Sequence, residues 1–330
     1  MNNHQTSREL VRRTIKFERP ERLPYDFPEK YGTDFAFVGM SPSPDARPPG
    51  GNGTDEWGAV WKNIGVSQLG EVQDFPLKTW DDLPRLRIPD INDPSRWENL
   101  KDARSKAGSK FLLGFGISLY ERVHFIRGLQ NVWMDIYDHP DELGRLIDVL
   151  VEMNLVAIRK FARAGVDGYI WPDDWGLQNR LMISPDKWRE IWKPRYALIY
   201  KAAHTAGMCT FLHSCGNIVE ILDDLIEIGL DAVHMDQQEN MGLELLGRRF
   251  GGRITFFSPV DIQQTMCHGS LDDIRAYCRK MVKLLGSAGG GFIPRWYTDP
   301  VAAGHKPEAL DAMCEEFLKV NEEMRANQRP

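Results

Sequence analysis

The stretch AGVDGYIW (164–171) and its echo IGLDAVHM (228–235) decide the fold that we predict for this chain. In both, a glycine and an aspartate precede a short apolar run that is typical of a buried strand. The two glycines, Gly165 and Gly229, lie 64 positions apart, and one further strand-like run, CTFLH (209–213), lies between them. This spacing corresponds to about 32 residues per βα unit, which is close to the repeat of a (β/α)8 TIM barrel.

The alternation of short apolar runs with helix-like stretches extends from about residue 110 to the end of the chain, as in βα units around a parallel sheet. We therefore predict one α/β domain over 1–330, with an irregular N-terminal part over 1–110 that includes the first strand, and regular βα units over 111–330. Pro and Gly cluster in 41–58, which predicts a loop. A doubly wound sheet is the alternative, but no GxGxxG motif follows an early strand. The predicted strands are LPYDF (23–27), FLLGF (111–115), DGYIW (167–171), CTFLH (209–213), DAVHM (231–235), ITFFS (254–258) and GFIPR (291–295), with an eighth near 59–62.

The composition excludes several classes of function. The 330 residues are 42% apolar and 27% charged, and the formal net charge is −6. This balance argues against a nucleic-acid partner, because phosphate binding requires clustered Lys and Arg. No apolar run approaches the ~20 residues that span a bilayer, so we expect no membrane segment. The five cysteines are odd in number and all follow residue 200, which favours free thiols in a reducing cytoplasm.

The sharpest chemical motif is His213-Ser214-Cys215, which follows the strand-like run CTFLH. In a barrel, the active site lies at the C-terminal ends of the strands. An imidazole and a thiolate two positions apart can face one point, and Zn²⁺ accepts that pair of ligands. The alternative is that His213 caps the strand and Cys215 packs, because HxC is a short motif. His234 alternates with apolar neighbours, which favours a hydrogen-bonded core histidine.

Two adjacent carboxylates, Asp173 and Asp174, follow the run DGYIW. Paired carboxylates can share a proton or accept one, so both are candidates for acid–base catalysis. The alternative is that one of them caps the next helix while the other is solvated.

Aromatic side chains cluster at two predicted strand ends. Trp171 and Trp175 bracket the two aspartates, and Trp296-Tyr297 follow the last strand. If both loops face the barrel mouth, these rings form flat apolar walls that suit a methoxylated aromatic ring. The alternative is that they only pack at the rim. Further strand-end residues that we assign to substrate binding are Gln178, Asp261 and Gln263.

A co-linear set of segments resembles the uroporphyrinogen decarboxylase-like superfamily, from about residue 55 onward. The family fold is a (β/α)8 barrel, which agrees with the alternation described above. The segments are DEWGAVWK (55–62), ERVHFIRG (121–128), GVDGYIWPDDWGLQ (165–178), ISPDKWREIWKPRY (183–196), HSCGNI (213–218), VDIQ (260–263) and SAGGGFIP (287–294).

The resemblance implies two possible chemistries. One branch decarboxylates uroporphyrinogen without a metal and carries an arginine-rich segment near the first strand. Here that segment has no matching arginines and carries Asp26 and Glu29 instead, so a polycarboxylate would meet repulsion. The other branch contains cobamide-dependent methyltransferases, whose thiol-methylating members bind zinc with an HxC pair and a later cysteine.

In this chain His213 and Cys215 match the zinc-binding pair, but no cysteine lies between 289 and 300. Asp174, His234 or Asp236 could supply the third ligand, and a carboxylate would make the metal a harder Lewis acid.

We therefore predict a corrinoid-dependent methyltransferase that moves a methyl group between a small substrate, such as a methoxylated aromatic, and a cobamide carried on a separate corrinoid protein. Asp174 would be the third zinc ligand or the proton carrier for the leaving oxygen. The first alternative is a metal-free decarboxylase or other lyase that uses Asp26, Asp174 and nearby arginines. The second is a barrel that only binds its ligand.

Overall fold

The computed structural model of the chain describes residues 4–43, 52–65 and 70–327. These residues include ten strands that form two sheets. The strands are β1 (Phe35–Gly39), β2 (Gly53–Thr54), β3 (Val60–Asn63), β4 (Gly70–Asp74), β5 (Phe111–Phe115), β6 (Gly168–Pro172), β7 (Cys209–His213), β8 (Ala232–His234), β9 (Thr255–Ser258) and β10 (Phe292–Pro294).

The main sheet contains seven parallel strands in the order β1-β5-β6-β7-β8-β9-β10. From β5 onward, helical segments separate each strand from the next. The sheet therefore grows in one direction, as in a TIM-type fold and unlike a doubly wound sheet, whose strand order reverses. The α/β class and the six strands predicted between residues 111 and 295 are confirmed.

Twelve α-helices lie within the described residues. Helix α5 has 24 residues and buries Leu146, Leu150 and Phe161 along one face, as its apolar periodicity indicates. None of the described helices is both long enough and apolar enough to cross a membrane. The helices are α1 (Ser7–Ile15), α2 (Ala103–Ala107), α3 (Tyr120–Arg127), α4 (Leu129–Asp138), α5 (Pro140–Arg163), α6 (Pro185–Ile191), α7 (Lys193–Thr205), α8 (Leu222–Glu227), α9 (Leu243–Phe250), α10 (Thr265–His268), α11 (Leu271–Leu285) and α12 (Pro307–Ala326).

Phenylalanine rings fill the concave side of the main sheet. Phe35 of β1 and Phe257 of β9 are not on neighbouring strands, yet their ring centroids are 5.0 Å apart. The sheet must therefore be strongly curled. Val11 and Ile15 of α1 belong to the same buried cluster, and α1 is hydrogen-bonded to the residues that precede β5 and β10. Helix α1 thus closes the N-terminal end, and the opposite end remains for the site.

Two of the predicted strands do not belong to the main sheet. The described residues therefore form seven of the eight strands that a complete barrel has. The run LPYDF (23–27) is not a strand, and only Asp26 forms isolated bridges, to Arg295 and Thr33. Pro24 has no N–H group to donate, and Pro28 restricts the residue before it, which limits regular pairing. The first strand of the sheet is β1 instead.

The eighth strand predicted near 59–62 belongs to a separate antiparallel sheet, β2-β3-β4. Asp55 organises this sheet by accepting hydrogen bonds from the backbone N–H groups of Trp57 and Ala59, at 2.9 Å each, and from Trp61 Nε1 at 3.0 Å. The segment DEWGAVWK is therefore structural. In the loop predicted over 41–58, residues 44–51 lie outside the described residues, and 53–54 form β2.

Candidate active site

A cavity of about 770 Å³ opens where the strands of the main sheet end. Its aromatic lining consists of Phe27, Phe37, Phe115, Phe257, Trp296 and Tyr297. Its polar lining includes Asp26, Glu29, His213, His234, Asp236, Arg295 and Asp299. The cavity thus has apolar walls and a small set of polar groups, the usual composition of a small-molecule site.

Strand register brings two histidines together in this cavity. His213 is the last residue of β7 and is the register partner of His234, the last residue of β8. Side chains at paired positions of neighbouring strands point to the same face. Accordingly, the two Nδ1 atoms lie 3.0 Å apart.

A second contact brings Asp174 and Cys215 to the other side of the His213 ring. Cys215 Sγ lies 3.4 Å from His213 Nε2, and Asp174 Oδ1 lies 3.5 Å from the same nitrogen. The backbone N–H of Cys215 donates to Asp174 Oδ1 at 2.7 Å. The HxC pair predicted at the end of β7 therefore lies together with a carboxylate, and His213 connects this group to the cavity.

Two glycines allow this arrangement. A Cβ added at Gly216 would lie 2.7 Å from the Cα of Gly176 and still closer to its carbonyl group. A Cβ added at Gly176 would lie 2.7 Å from the carbonyl oxygen of Cys215. Gly216 also has φ +75°, a conformation that other L-residues rarely adopt. Only glycines let the loops after β6 and β7 approach closely enough to place Asp174 beside Cys215.

The donor set at His213, Cys215 and Asp174 fits a zinc ion. The three ligand atoms lie within 4.8 Å of one another. A tetrahedral ion with bonds of about 2.0–2.3 Å holds its ligand atoms about 3.3–3.8 Å apart, which matches the 3.4 and 3.5 Å separations around His213 Nε2. Burial and the nearby carboxylates, with Asp174 foremost among them, raise the pKa of the Cys215 thiol. A divalent cation would offset this concentration of negative charge.

A hydrogen-bonded chain fixes which nitrogen of His213 faces that group. Burial, reinforced by the charge of Arg295, lowers the pKa of His234 to about 3, so its ring is neutral. Its Nε2 lies 3.0 Å from Asp236 Oδ1. Burial opposes ionisation of Asp236, but the hydrogen bond from His234 and the charge of Arg295 keep the pKa of this carboxyl below its ordinary value. An ionised carboxylate only accepts, so Nε2 of His234 carries the proton.

The lone pair on Nδ1 of His234 then accepts from Nδ1–H of His213 and from Nη1 of Arg295, each at 3.0 Å. In the neutral His213 ring, Nε2 then carries the lone pair, and it faces Cys215 and Asp174. His213, His234 and Asp236 also form a group of possible ligands, but Nδ1 of His213 is already engaged within it. The geometry therefore favours Asp174 as the third ligand, and it makes His234 and Asp236 orienting partners.

Asp26 and Arg295 lie beside this chain. Asp26 is 5% exposed, and its Oδ1 accepts a hydrogen bond of 2.8 Å from the Thr33 hydroxyl. Burial raises the pKa of Asp26, although the charge of Arg295 opposes the shift. Arg295 contacts the His234 ring and donates through Nε to the carbonyl of Trp296 at 3.1 Å. Asp26 is thus a lining carboxyl that holds a proton more readily than an exposed aspartate does.

Asp173, which we predicted as catalytic, lies outside the cavity and is fully buried. Its carboxylate accepts hydrogen bonds from the backbone N–H groups of Leu119 and Glu121, at 3.1 and 2.9 Å, and also from Trp171 Nε1 and the Tyr196 hydroxyl. Burial raises its pKa to about 7, although these donors oppose the shift. Asp173 therefore holds the start of α3 in place, and only Asp174 of the pair reaches the site.

Trp171 and Trp175 do not form the aromatic wall that we predicted. Both are fully buried in an aromatic cluster beneath the rim. The Trp175 ring stacks on Tyr120 at a centroid distance of 4.0 Å, and its Nε1 donates to the Tyr196 hydroxyl at 3.0 Å. The alternative of rim packing is therefore correct for these two residues, whereas Trp296 and Tyr297 do line the cavity.

The remaining predicted residues lie beside the main cavity. Asp261 is 2% exposed and accepts the backbone N–H groups of Gln263, Gln264 and Thr265, at 2.9–3.3 Å, so it stabilises the turn into α10. The side chains of Gln178 and Gln263 line a neighbouring cavity of about 560 Å³.

Three residues of this region escaped the sequence analysis. Phe37 lies in the middle of β1 and Phe115 ends the neighbouring β5; their rings stack at 5.7 Å, line the cavity and are 44% and 46% exposed. Phe37 was missed because β1 was placed too early in the chain, and Phe115 because its apolar run does not alternate. Glu121 has a pKa raised to about 8 by burial and by the charges of Asp174 and Asp173. No local sequence pattern indicates that Glu121 lies beside these two carboxylates.

Comparisons with known proteins add family and fold. The sequence model of the family described as Uroporphyrinogen decarboxylase (URO-D) matches residues 70–317. A methyltransferase from Methanosarcina mazei has a similar structure, with a TM-score of 0.66 and 17% identity, covering 96% of this chain and 99% of that one. At 17% identity, this similarity supports the fold alone.

Two further solved structures match at lower TM-scores. A D-psicose 3-epimerase from Clostridium cellulolyticum H10 covers 94% of this chain and 92% of its own, with 11% identity and a TM-score of 0.44. A mannonate dehydratase from Streptococcus suis covers 71% and 84%, with 16% identity and a TM-score of 0.42. A search of curated proteins found no match.

Proposed function

Because the chain belongs to the uroporphyrinogen decarboxylase family, we propose that it is an enzyme of the methyltransferase type within that family. It moves a methyl group between a small substrate, such as a methoxylated aromatic, and a cobamide carried by a separate corrinoid protein. The observation that carries this proposal is the group formed by His213, Cys215 and Asp174 at the mouth of the barrel.

In the proposed reaction, the C–O bond of the substrate breaks and its electron pair stays on oxygen. A reduced cobamide, when bound, would supply the nucleophilic electron pair that accepts the methyl group. Zinc held by His213, Cys215 and Asp174 would supply Lewis acidity that lowers the basicity of the departing oxygen.

The chain's own residues bind the substrate and supply the proton. The Phe37 and Phe115 rings offer an apolar wall for a flat substrate, since aromatic rings favour stacked and edge-to-face contacts. Asp26 Oδ1 accepts from Thr33, so Oδ2 is the atom that can carry a proton to the leaving oxygen. The raised pKa of Asp26 favours this protonated form.

The lyase alternative is disfavoured by the charges that line the cavity. Besides Asp26, which the proposed reaction keeps protonated, the described residues of the lining include Glu29, Asp236 and Asp299 against a single arginine, Arg295. A substrate with many carboxylates would therefore enter a cavity with excess negative charge. We expect no coproporphyrinogen to form from uroporphyrinogen, and its detection by chromatography would restore the decarboxylase alternative.

The test of the proposed function combines the purified protein with reduced cobalamin and a panel of methoxylated phenols. Methyl-cobalt absorbance is expected with at least one phenol, and it should be lost in Cys215→Ala and weakened in Phe115→Ala. Cys209→Ala, a buried thiol at the other end of β7 and outside the cluster, serves as the control. Reaction with methylated amines or alcohols alone would refute the aromatic substrate and leave methyl transfer intact. The absence of any turnover would favour a barrel that only binds its ligand.

A further inference from the structure

The neighbouring cavity is lined mainly by glutamine side chains. Gln178, Gln237, Gln263 and Gln264 line its walls together with Tyr297. The whole chain contains ten glutamines, so four of the ten converge on one cavity of about 560 Å³. They come from three loops, which follow β6, β8 and β9.

Within the described part of the chain, the lining of this glutamine cavity contains no charged side chain. Besides the glutamines and the tyrosine, it consists of Ile262, Cys267 and Ala303. Phosphate or carboxylate ligands are recognised by Lys and Arg, and hard metal ions by carboxylates. A carboxamide carries both a donor NH₂ and an acceptor carbonyl. The lining therefore selects a neutral ligand that presents several donors and acceptors.

The amide groups of these glutamines are largely free to bind. Gln237 Oε1 accepts the backbone N–H of Gly216 at 2.8 Å. Within the described residues, this is the only hydrogen bond made by the four side-chain amides. The amides of Gln178, Gln263 and Gln264 and the NH₂ group of Gln237 can thus form hydrogen bonds with a ligand.

The glutamine cavity adjoins the proposed transfer site. Tyr297 lines both cavities, and Gln237 is bonded to the residue that follows Cys215. A large ligand centred over Cys215 would therefore reach the glutamines with its rim.

We propose that the glutamine cavity binds the carboxamide side chains at the rim of a corrin ring. This inference rests on the proposed function, because the cobamide is its methyl acceptor. The corrin macrocycle carries primary carboxamides around its periphery, and an amide can pair reciprocally with another amide through two hydrogen bonds. The four glutamines would thus orient the macrocycle while the substrate occupies the main cavity.

The test measures binding of free hydroxocobalamin to the purified protein by equilibrium dialysis, without any methyl donor. We compare the wild type with Gln263→Met, Gln264→Met and the double variant, since methionine keeps the length of the side chain and removes its hydrogen bonds. Gln130→Met, an exposed glutamine on α4 far along the chain from this cavity, is the matched control. Each lost amide is expected to raise the Kd about 3- to 10-fold, with unchanged melting temperatures.

A second probe isolates the role of the amides. Cobinamide, which retains the carboxamides, should bind to the wild type with an affinity close to that of cobalamin. Cobyrinic acid, which has carboxylates in their place, should bind more weakly, by about 10-fold or more. Because the acidic lining of the main cavity also repels carboxylates, the part of this difference that disappears in the double variant measures the glutamines. Equal affinity for the two corrinoids, no binding of either, or an unchanged Kd in the double variant would overturn the inference.

Failure of this inference can be separated from failure of the proposed function. Methyl transfer by the wild type together with an unchanged Kd in the double variant would refute only the glutamine site. A raised Kd in the variants without any methyl transfer would refute only the function.

Discussion

Replacing Asp236 by asparagine is expected to weaken zinc binding, although Asp236 lies outside the proposed ligand set. Its carboxylate accepts the Nε2–H of His234 at 3.0 Å, and His234 Nδ1 accepts from His213. The Asp236→Asn substitution would keep the shape of the side chain but remove its charge, and charge-assisted hydrogen bonds are about twice as strong as neutral ones. Changes in such outer partners cost about 10- to 100-fold in metal affinity. We expect the lower end of that range, about 10-fold, for this substitution.

Two further variants grade the effect. His234→Phe keeps the ring but removes the acceptor for the Nδ1–H of His213, so the His213 ring loses its fixed orientation. We expect a loss of about 100-fold in zinc affinity. Cys215→Ala removes one ligand and leaves two protein ligands, whereas a catalytic zinc requires about three. Its zinc content after dialysis should fall from about one ion per chain to a small fraction.

The assay is a competition titration of zinc against a chromophoric chelator, combined with elemental analysis of each purified protein. Cys267→Ala is the thiol control, because Cys267 donates to the carbonyls of Ile262 and Ala303, away from the ligand group. Equal zinc in the wild type and Cys215→Ala, or none in either, would refute the metal site. Unchanged affinity in both Asp236→Asn and His234→Phe would refute the orienting chain alone.

Three other perturbations follow from the structure. Gly216→Ala should destabilise the protein by about 2–4 kcal/mol in urea unfolding, because the new Cβ meets the backbone of the loop after β6. The control is Gly207→Ala, which has φ +77° but open space around the new Cβ. It should lower the free energy of unfolding by only about 1 kcal/mol. Asp167→Asn should lower the free energy of unfolding by about 2–4 kcal/mol in the same assay. The reason is that this fully buried carboxylate binds three arginines, whose side chains retain 28–46% exposure. A decrease of less than about 1 kcal/mol would contradict this expectation. The hydrogen bond to Asp231 raises the pKa of His204, so its stabilisation is complete below the unfolded pKa of about 6.5 and is lost as the pH rises through the folded pKa. The melting temperature of His204→Gln should accordingly lie further below that of the wild type at about pH 5.5 than at about pH 8.5, and an equal difference at both would refute the linkage.

The candidate site was partly predictable, and particular residues show why. His213 and Cys215 were found because they directly follow a recognisable apolar strand, so their place at the strand end depends only on local order. Asp173 and Asp174 are neighbours in the chain with different surroundings. One is enclosed by α3 and Tyr196, and the other meets Cys215. Nothing in the adjacent pair itself distinguishes them.

The sequence by itself determined the βα alternation, the strands from 111 to 295 and the accumulation of polar residues after them. These features follow from local periodicity and from the physical need to cover both faces of a parallel strand. Only the tertiary structure decided that His213 faces His234, since strand register sets that pairing across 21 residues. It also decided that Trp171 and Trp175 are buried, because aromatic residues of α3 and α7 pack over them. Contacts between loops, which local sequence does not encode, therefore decide which of the strand-end residues come together in the site.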